Sequence, residues 1–113
     1  MWSVRHTEEF ARWFAQQDEA CKLQVFRMVA LLENEGPRLS RPYADTLNGS
    51  RFHNMKELRI NAKRMAIRIA FAFDPRQDAI LLVAGDKRGI SETRFYRRLI
   101  AKADELYSEY LKG

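Results

Sequence analysis

One acid, several strong cations and an aromatic recur in the second half of the chain at spacings that can place them on one surface. Glu57 and Arg59 lie two residues apart, and Arg68, Ala70, Ala72 and Asp74 alternate with Ile67, Ile69, Phe71 and Phe73. A strand sends alternate side chains to opposite faces. The bulky set therefore predicts a core face, and Arg68 an open face where small alanines clear space around it. On that reading the Arg68 side chain is not needed for the core. Lys87 and Arg88 follow the next apolar run, between Gly85 and Gly89, and Phe95 and Tyr96 come shortly after.

These residue types match what cleavage of RNA at a phosphodiester demands. The 2′-hydroxyl must lose a proton to attack phosphorus, the pentavalent phosphorane needs positive charge, and the departing 5′-oxygen needs a proton. A base held against an aromatic face would keep the attack in line. Each residue also has a plainer reading. Glu57 can be an ion-pair partner of Arg59 or Arg68, Lys87 and Arg88 can be solvated turn residues, and Tyr96 can be core. Lys56 falls in register with the core-facing set, so it needs a strand edge or a bulge to serve. His53 can be a general base or a surface histidine, and Cys21, inside an amphipathic segment, reads as a small apolar filler.

Positioning these groups takes a full set of elements. Trp2 to His6 alternates like a short strand, and Thr7 can cap a helix carrying Phe10, Trp13 and Phe14 on one stripe. A second helix runs from about Glu19 to Glu35 and stops at Gly36-Pro37. Residues 37–52 lose periodicity and read as a loop. Strands follow over Asn54 to Ile60, Met65 to Asp74 and Ala79 to Asp86, joined by short polar turns. Ser91 can cap a last helix whose apolar side holds Phe95, Leu99, Ile100, Ala103, Leu106, Tyr107 and Tyr110. The order β-α-α-β-β-β-α predicts one α+β domain over residues 1–113, an antiparallel sheet covered by helices on one face.

Composition sets the outer limits. The chain has 113 residues and 46% hydrophobic content, enough for one packed domain and too much for a disordered one. No apolar run approaches the ~20 residues of a membrane span, and the N-terminus lacks a signal-peptide pattern, so a cytoplasmic protein is expected. A single cysteine and two histidines give neither an internal disulfide nor zinc-ligand spacing, and no metal or cofactor is expected. Net charge is +5, and it is unevenly spread. Residues 1–50 hold six Lys/Arg against seven Asp/Glu, whereas residues 51–113 hold fourteen against eight. That basic half suits a polyanionic partner.

Taken together, Leu47-Asn48-Gly49-Ser50-Arg51, Met55-Lys56-Glu57-Leu58-Arg59, Ile67-Arg68-Ile69-Ala70-Phe71-Ala72-Phe73-Asp74, Leu81-Leu82-Val83-Ala84-Gly85-Asp86-Lys87 and Phe95-Tyr96 resemble the RelE/ParE toxin superfamily, and within it the HigB-like, phage-derived toxins. The resemblance spans nearly the whole chain. It implies a RelE-like fold and a type II toxin that enters the 30S A site of the ribosome and cuts messenger RNA. The implied partner is an antitoxin, a helix-turn-helix protein of HigA type. By the same resemblance Arg68 stabilises the phosphorane, Lys87 and Arg88 supply the basic pair after the last strand, Tyr96 or Phe95 stacks or orients the nucleotide, and Glu57 is the base. Lys56, Arg59, Lys63, Arg64 and Phe95 make up the RNA-binding set. The segment after the last strand lacks the histidine that some relatives carry, which leaves the proton donor open. Two other readings compete: a ParE-like inhibitor that binds DNA gyrase without cutting RNA, since one fold hosts both, and a harmless phage remnant that only binds an antitoxin.

Overall fold

A computed structural model describes residues 1–113. Strand β1 (Val4–His6) leads into helices α1 (Glu8–Ala15) and α2 (Glu19–Glu35). A single 3-10 turn (Gly36–Arg38) precedes β2 (Ala44–Thr46), β3 (Lys56–Ala62), β4 (Met65–Phe73), β5 (Ala79–Asp86) and the long helix α3 (Glu92–Lys112). The five strands form one sheet in the order β1-β5-β4-β3-β2, with β1 parallel to β5 and every other pair antiparallel. The α+β class read from the sequence is the class observed.

Local chemistry explains the boundaries. The Thr7 side chain accepts from the Phe10 N–H at 3.0 Å, Asp18 does the same for Cys21 at 2.9 Å and Ser91 for Arg94 at 3.2 Å, so each helix begins at a side-chain cap. Thr7 also donates to the Leu82 carbonyl at 2.7 Å, which fastens the start of α1 to β5. Helix α2 buries Cys21, Val25, Met28 and Leu32, one face at helical spacing, against Leu58, Ile60, Ile67, Ile69 and Phe71. Each large apolar side chain so buried contributes roughly 1.5–3 kcal/mol.

The sheet is covered on both faces, which corrects the expectation of helices on one face. Helix α3 lays Phe95, Leu99, Ala103 and Tyr107 over Ala70, Ala72, Ile80 and Leu82, forming a second core opposite the first. The alanines that seemed to open space around Arg68 are the floor on which α3 rests: their small side chains let the helix approach the sheet. The presumed loop at 37–52 also holds more structure than its sequence suggests. Strand β2 adds an edge to β3, and Leu39, Ala44 and Leu47 are buried. Three residues of strand are too few to show a period.

Gly36 closes α2 with φ near +56°, a left-handed turn, and a Cβ there would collide with the indole of Trp2. The same corner ties Trp2 N–H to the Glu33 carbonyl at 2.9 Å. Gly36→Ala is therefore expected to lower stability by about 2 kcal/mol or more, from left-handed strain plus overpacking. Urea unfolding should show it as a lower midpoint with an unchanged slope; an unchanged midpoint would mean that the corner is not closed as described.

Candidate active site

Three rows of residues cross the α3-facing side of the sheet where β3, β4 and β5 run side by side. Glu57 faces Ala70, and Ala70 faces Val83; Arg59 faces Arg68, and Arg68 faces Gly85; Asn61 faces Ala66. The Lys87 N–H bonds the Ala66 carbonyl at 3.0 Å and so continues the third row. The first turn of α3 passes over these rows and brings Tyr96 down to them. Gly85 makes this approach possible: a Cβ there would stand 3.1 Å from the Phe95 ring.

At the centre, Tyr96 OH donates to Glu57 Oε1 at 2.8 Å while accepting from Arg68 Nε at 3.2 Å. Arg68 Nε is itself 3.8 Å from the same carboxylate oxygen. Arg68 Nη1 donates to Asn61 Oδ1 and to the Ile67 carbonyl, each at 2.9 Å. Nη2 makes no bond within the chain. The phenol thus sits between acid and guanidinium and orients both.

Burial governs the electrostatics. Arg68 is 1% exposed and Glu57 5% exposed, so the expectation of an open-face Arg68, dispensable for folding, is corrected. Helix α3 supplies the cover that the sequence reading lacked. Desolvation raises the Glu57 carboxyl above the usual range and outweighs the Tyr96 hydrogen bond and the charges of Arg68 and Arg59, which pull it down. Burial also raises the Tyr96 hydroxyl, reinforced by its bond to Glu57, so it stays protonated. A carboxylate raised toward neutrality beside a fixed guanidinium is an arrangement suited to moving a proton near developing negative charge.

The remaining predicted positions fall into three groups. Lys87 and Arg88 stand at the end of β5, near the cluster, but each is paired: Lys87 Nζ donates to Glu92 Oε1 at 2.6 Å, and Arg88 Nη2 to Asp86 Oδ2 at 2.6 Å. Asp86 is pulled down in turn, by Arg88 chiefly, against a burial effect that is the largest single influence on it. Lys63 and Arg64 form the exposed tip of the β3–β4 hairpin, Arg64 in the left-handed region with φ 62°. Lys56 and Phe95 do not join the site. Lys56 shares the α2-facing side with Leu58 and Ile60 and pairs across with Phe71, and the Phe95 ring is buried in the second core, edge-on to Tyr96. His53 is exposed in the turn before β3, and Cys21 is buried in the first core.

The sequence reading missed Asn61 and Glu92. Asn61 was read as a turn residue, yet the period of Glu57 and Arg59 extends to it once β3 is continued to Ala62. Glu92 directly follows the Ser91 cap, where an acid is expected on helix grounds alone; nothing local reveals its bond to Lys87.

Comparison with known proteins shows the family and the fold. Residues 12–108 match the family described as phage-derived protein Gp49-like (DUF891). HigB2 of Mycobacterium tuberculosis (strain ATCC 25618 / H37Rv), named as a toxin, is 44% identical over 105 residues, covering 92% of this chain and 52% of HigB2. HigB3 of the same organism, also named as a toxin, is 46% identical over 100 residues, covering 88% of this chain and 85% of HigB3. The chain thus spans about half the length of HigB2 and most of HigB3. The crystal structure of the isolated E. coli RelE toxin superposes with a TM-score of 0.61 at 13% identity, over 87% of this chain and 96% of RelE, a likeness of fold. With the family match running through all three central strands and α3, the chain belongs to the Gp49-like family of phage-derived proteins, is homologous to HigB2 and HigB3, and has a RelE-like fold.

Proposed function

We propose that the protein is the toxin of a type II toxin–antitoxin pair and a ribosome-dependent endoribonuclease that cuts translated messenger RNA. The observation that carries this reading is the Arg68–Tyr96–Glu57 cluster, an acid with a raised pKa locked beside a buried guanidinium. In this reaction Glu57 takes the proton of the 2′-hydroxyl, and Tyr96 fixes its orientation. Arg68, through Nη2, and the neighbouring Arg59 stabilise the phosphorane. Lys87, Arg88, Lys63 and Arg64 line the approach of the RNA backbone. The 2′-oxygen attacks phosphorus, the bond from phosphorus to the 5′-oxygen breaks, and the leaving 5′-oxygen takes a proton from solvent water, giving a 2′,3′-cyclic phosphate and a 5′-hydroxyl.

None of the principal surface hollows is lined by Glu57, Arg68, Lys87 or Tyr96. A shallow site cannot by itself hold a flexible strand in line, and in this account the 30S A site supplies the positioning. The names of HigB2 and HigB3 support the toxin assignment. The cognate partner is then a small helix-turn-helix antitoxin of HigA type. No helix is long and apolar enough to cross a membrane. Gyrase binding would give no reason for a desolvated carboxyl beneath Tyr96.

Purified protein should cut messenger RNA on programmed ribosomes, leaving cyclic phosphate ends, and leave the same RNA intact without ribosomes. Equal cutting of naked RNA at matched concentration would refute the dependence. Loss of DNA supercoiling in cells before any fall in translation would favour the gyrase reading instead.

Glu57 supplies a second test, in which stability and activity move apart. A carboxyl whose folded pKa is raised favours the fold while protonated, and that contribution is lost as pH rises through the folded value. Wild type should therefore lose stability relative to Glu57→Gln as the pH climbs from about 4.3, the unfolded carboxyl value. Near neutrality Glu57→Gln should melt at or above wild type and cleave about 10² to 10⁴ times more slowly. A variant that melts further and further below wild type as the pH climbs through that unfolded value would show that Glu57 is a structural ion pair.

A further inference from the structure

Of the cations nearest Tyr96, three have a side-chain partner. Arg88 closes on Asp86 through three side-chain contacts, Lys87 on Glu92, and Arg68 on Tyr96 and Asn61 beside Glu57. Arg59 differs. Its Nε is buried and has no hydrogen-bond partner, although the residue stands directly opposite Arg68 across the β3–β4 pair. Two arginines paired across neighbouring strands, with Lys87 in the next row on the same side of the sheet, make a place suited to an anion.

The acid free to serve that place is Glu92. Glu57 is buried under Tyr96, and Asp86 lies in register with Ile67, on the other face of the sheet. Glu92 is the first residue of α3, its side chain is 69% exposed, and its one bond goes to Lys87 at 2.6 Å. That bond chiefly holds its carboxyl below the usual range, and Arg68 and Arg59 both add to the effect through space. Its carboxylate is thus attracted by the three cations that converge where β3, β4 and β5 meet the first turn of α3.

We propose that Glu92 is an internal stand-in for a phosphate, held on Lys87 beside the Arg59–Arg68 pair until a phosphodiester of single-stranded RNA displaces it. The anion position follows from the geometry; RNA as its occupant rests on the nuclease reading above. The incoming phosphate takes over Lys87 within the field of Arg59 and Arg68 and releases Glu92. Before that exchange Glu92 holds Lys87 in place and lowers the pull of the site on stray RNA.

The test uses inorganic phosphate as the probe, followed by NMR through the side-chain Nε–H signals of Arg59 and Arg68 in the full chain. Wild type is compared with Glu92→Gln and with Glu105→Gln, which removes one charge from an exposed acid on α3 paired with Lys102 at 3.6 Å. Phosphate should bind Glu92→Gln about fivefold more tightly than wild type, the scale set by losing one exposed ion pair, while Glu105→Gln stays near wild type and the Arg59 signal shifts on saturation. Equal affinity in wild type and Glu92→Gln, or an equal gain in Glu105→Gln, would overturn the proposal. Cleavage on programmed ribosomes separates it from the nuclease reading. Tighter phosphate binding with no cleavage by any variant would sink that reading and leave the anion site standing, whereas cleavage by wild type with no effect of Glu92→Gln on phosphate would do the reverse.

Discussion

A buried arginine whose charge must be answered from two directions shapes this molecule. Arg68 lies in the middle of the central strand at 1% exposure, and removing a guanidinium from water is costly unless its donors and its charge are met. Asn61 on β3 and the Ile67 carbonyl meet Nη1, while Tyr96 on α3 meets Nε and passes the contact on to Glu57. Sheet and helix are therefore joined at a polar point as well as through the Phe95–Leu99–Ala103–Tyr107 stripe. The fold and the proposed chemistry share this bond set: α3 cannot lift from Ala70, Ala72 and Gly85 without exposing the acid and freeing the arginine.

The same dependence explains why the site is shallow. Helix α3 fills the face of the sheet that would otherwise form a cleft, and Gly85 lets its first turn settle close enough for Tyr96 to reach Glu57. What stays accessible is the rim: the Lys63–Arg64 hairpin tip, Lys87, Arg88 and the edge of Tyr96. A rim of cations around a desolvated acid can act on a strand delivered in the right geometry. Capturing one from solution would require a groove, and that is the physical basis for assigning positioning to the ribosome.

Much of this was legible in the sequence. The caps at Thr7 and Ser91, the stop at Gly36-Pro37 and the alternation in β4 each follow from local chemistry, and they place Glu57, Arg59 and Arg68 on one side of the sheet. Alternation separates two faces but cannot tell whether the second face is covered. Ala70 and Ala72 were therefore read as empty space when they are a helix seat, and Arg68 was read as exposed. The parallel pairing of β1 with β5 links residues more than seventy apart in the chain, and no local pattern encodes it. The bond of Glu92 to Lys87, five residues before it, has no sequence signature, and Arg59, though named, gave no sign of its unmet donor.

The central claim is that Glu57, Tyr96 and Arg68 act as one catalytic unit, and a double-mutant cycle in single-turnover cleavage on programmed ribosomes tests it most directly. Groups that work through one another are strongly non-additive. If Tyr96 serves by orienting Glu57, then Glu57→Gln combined with Tyr96→Phe should cleave about as slowly as the slower single variant, with all three proteins folded by thermal unfolding. Rate losses that simply multiply would contradict the account, because the two side chains would then contribute independently despite the 2.8 Å bond between them.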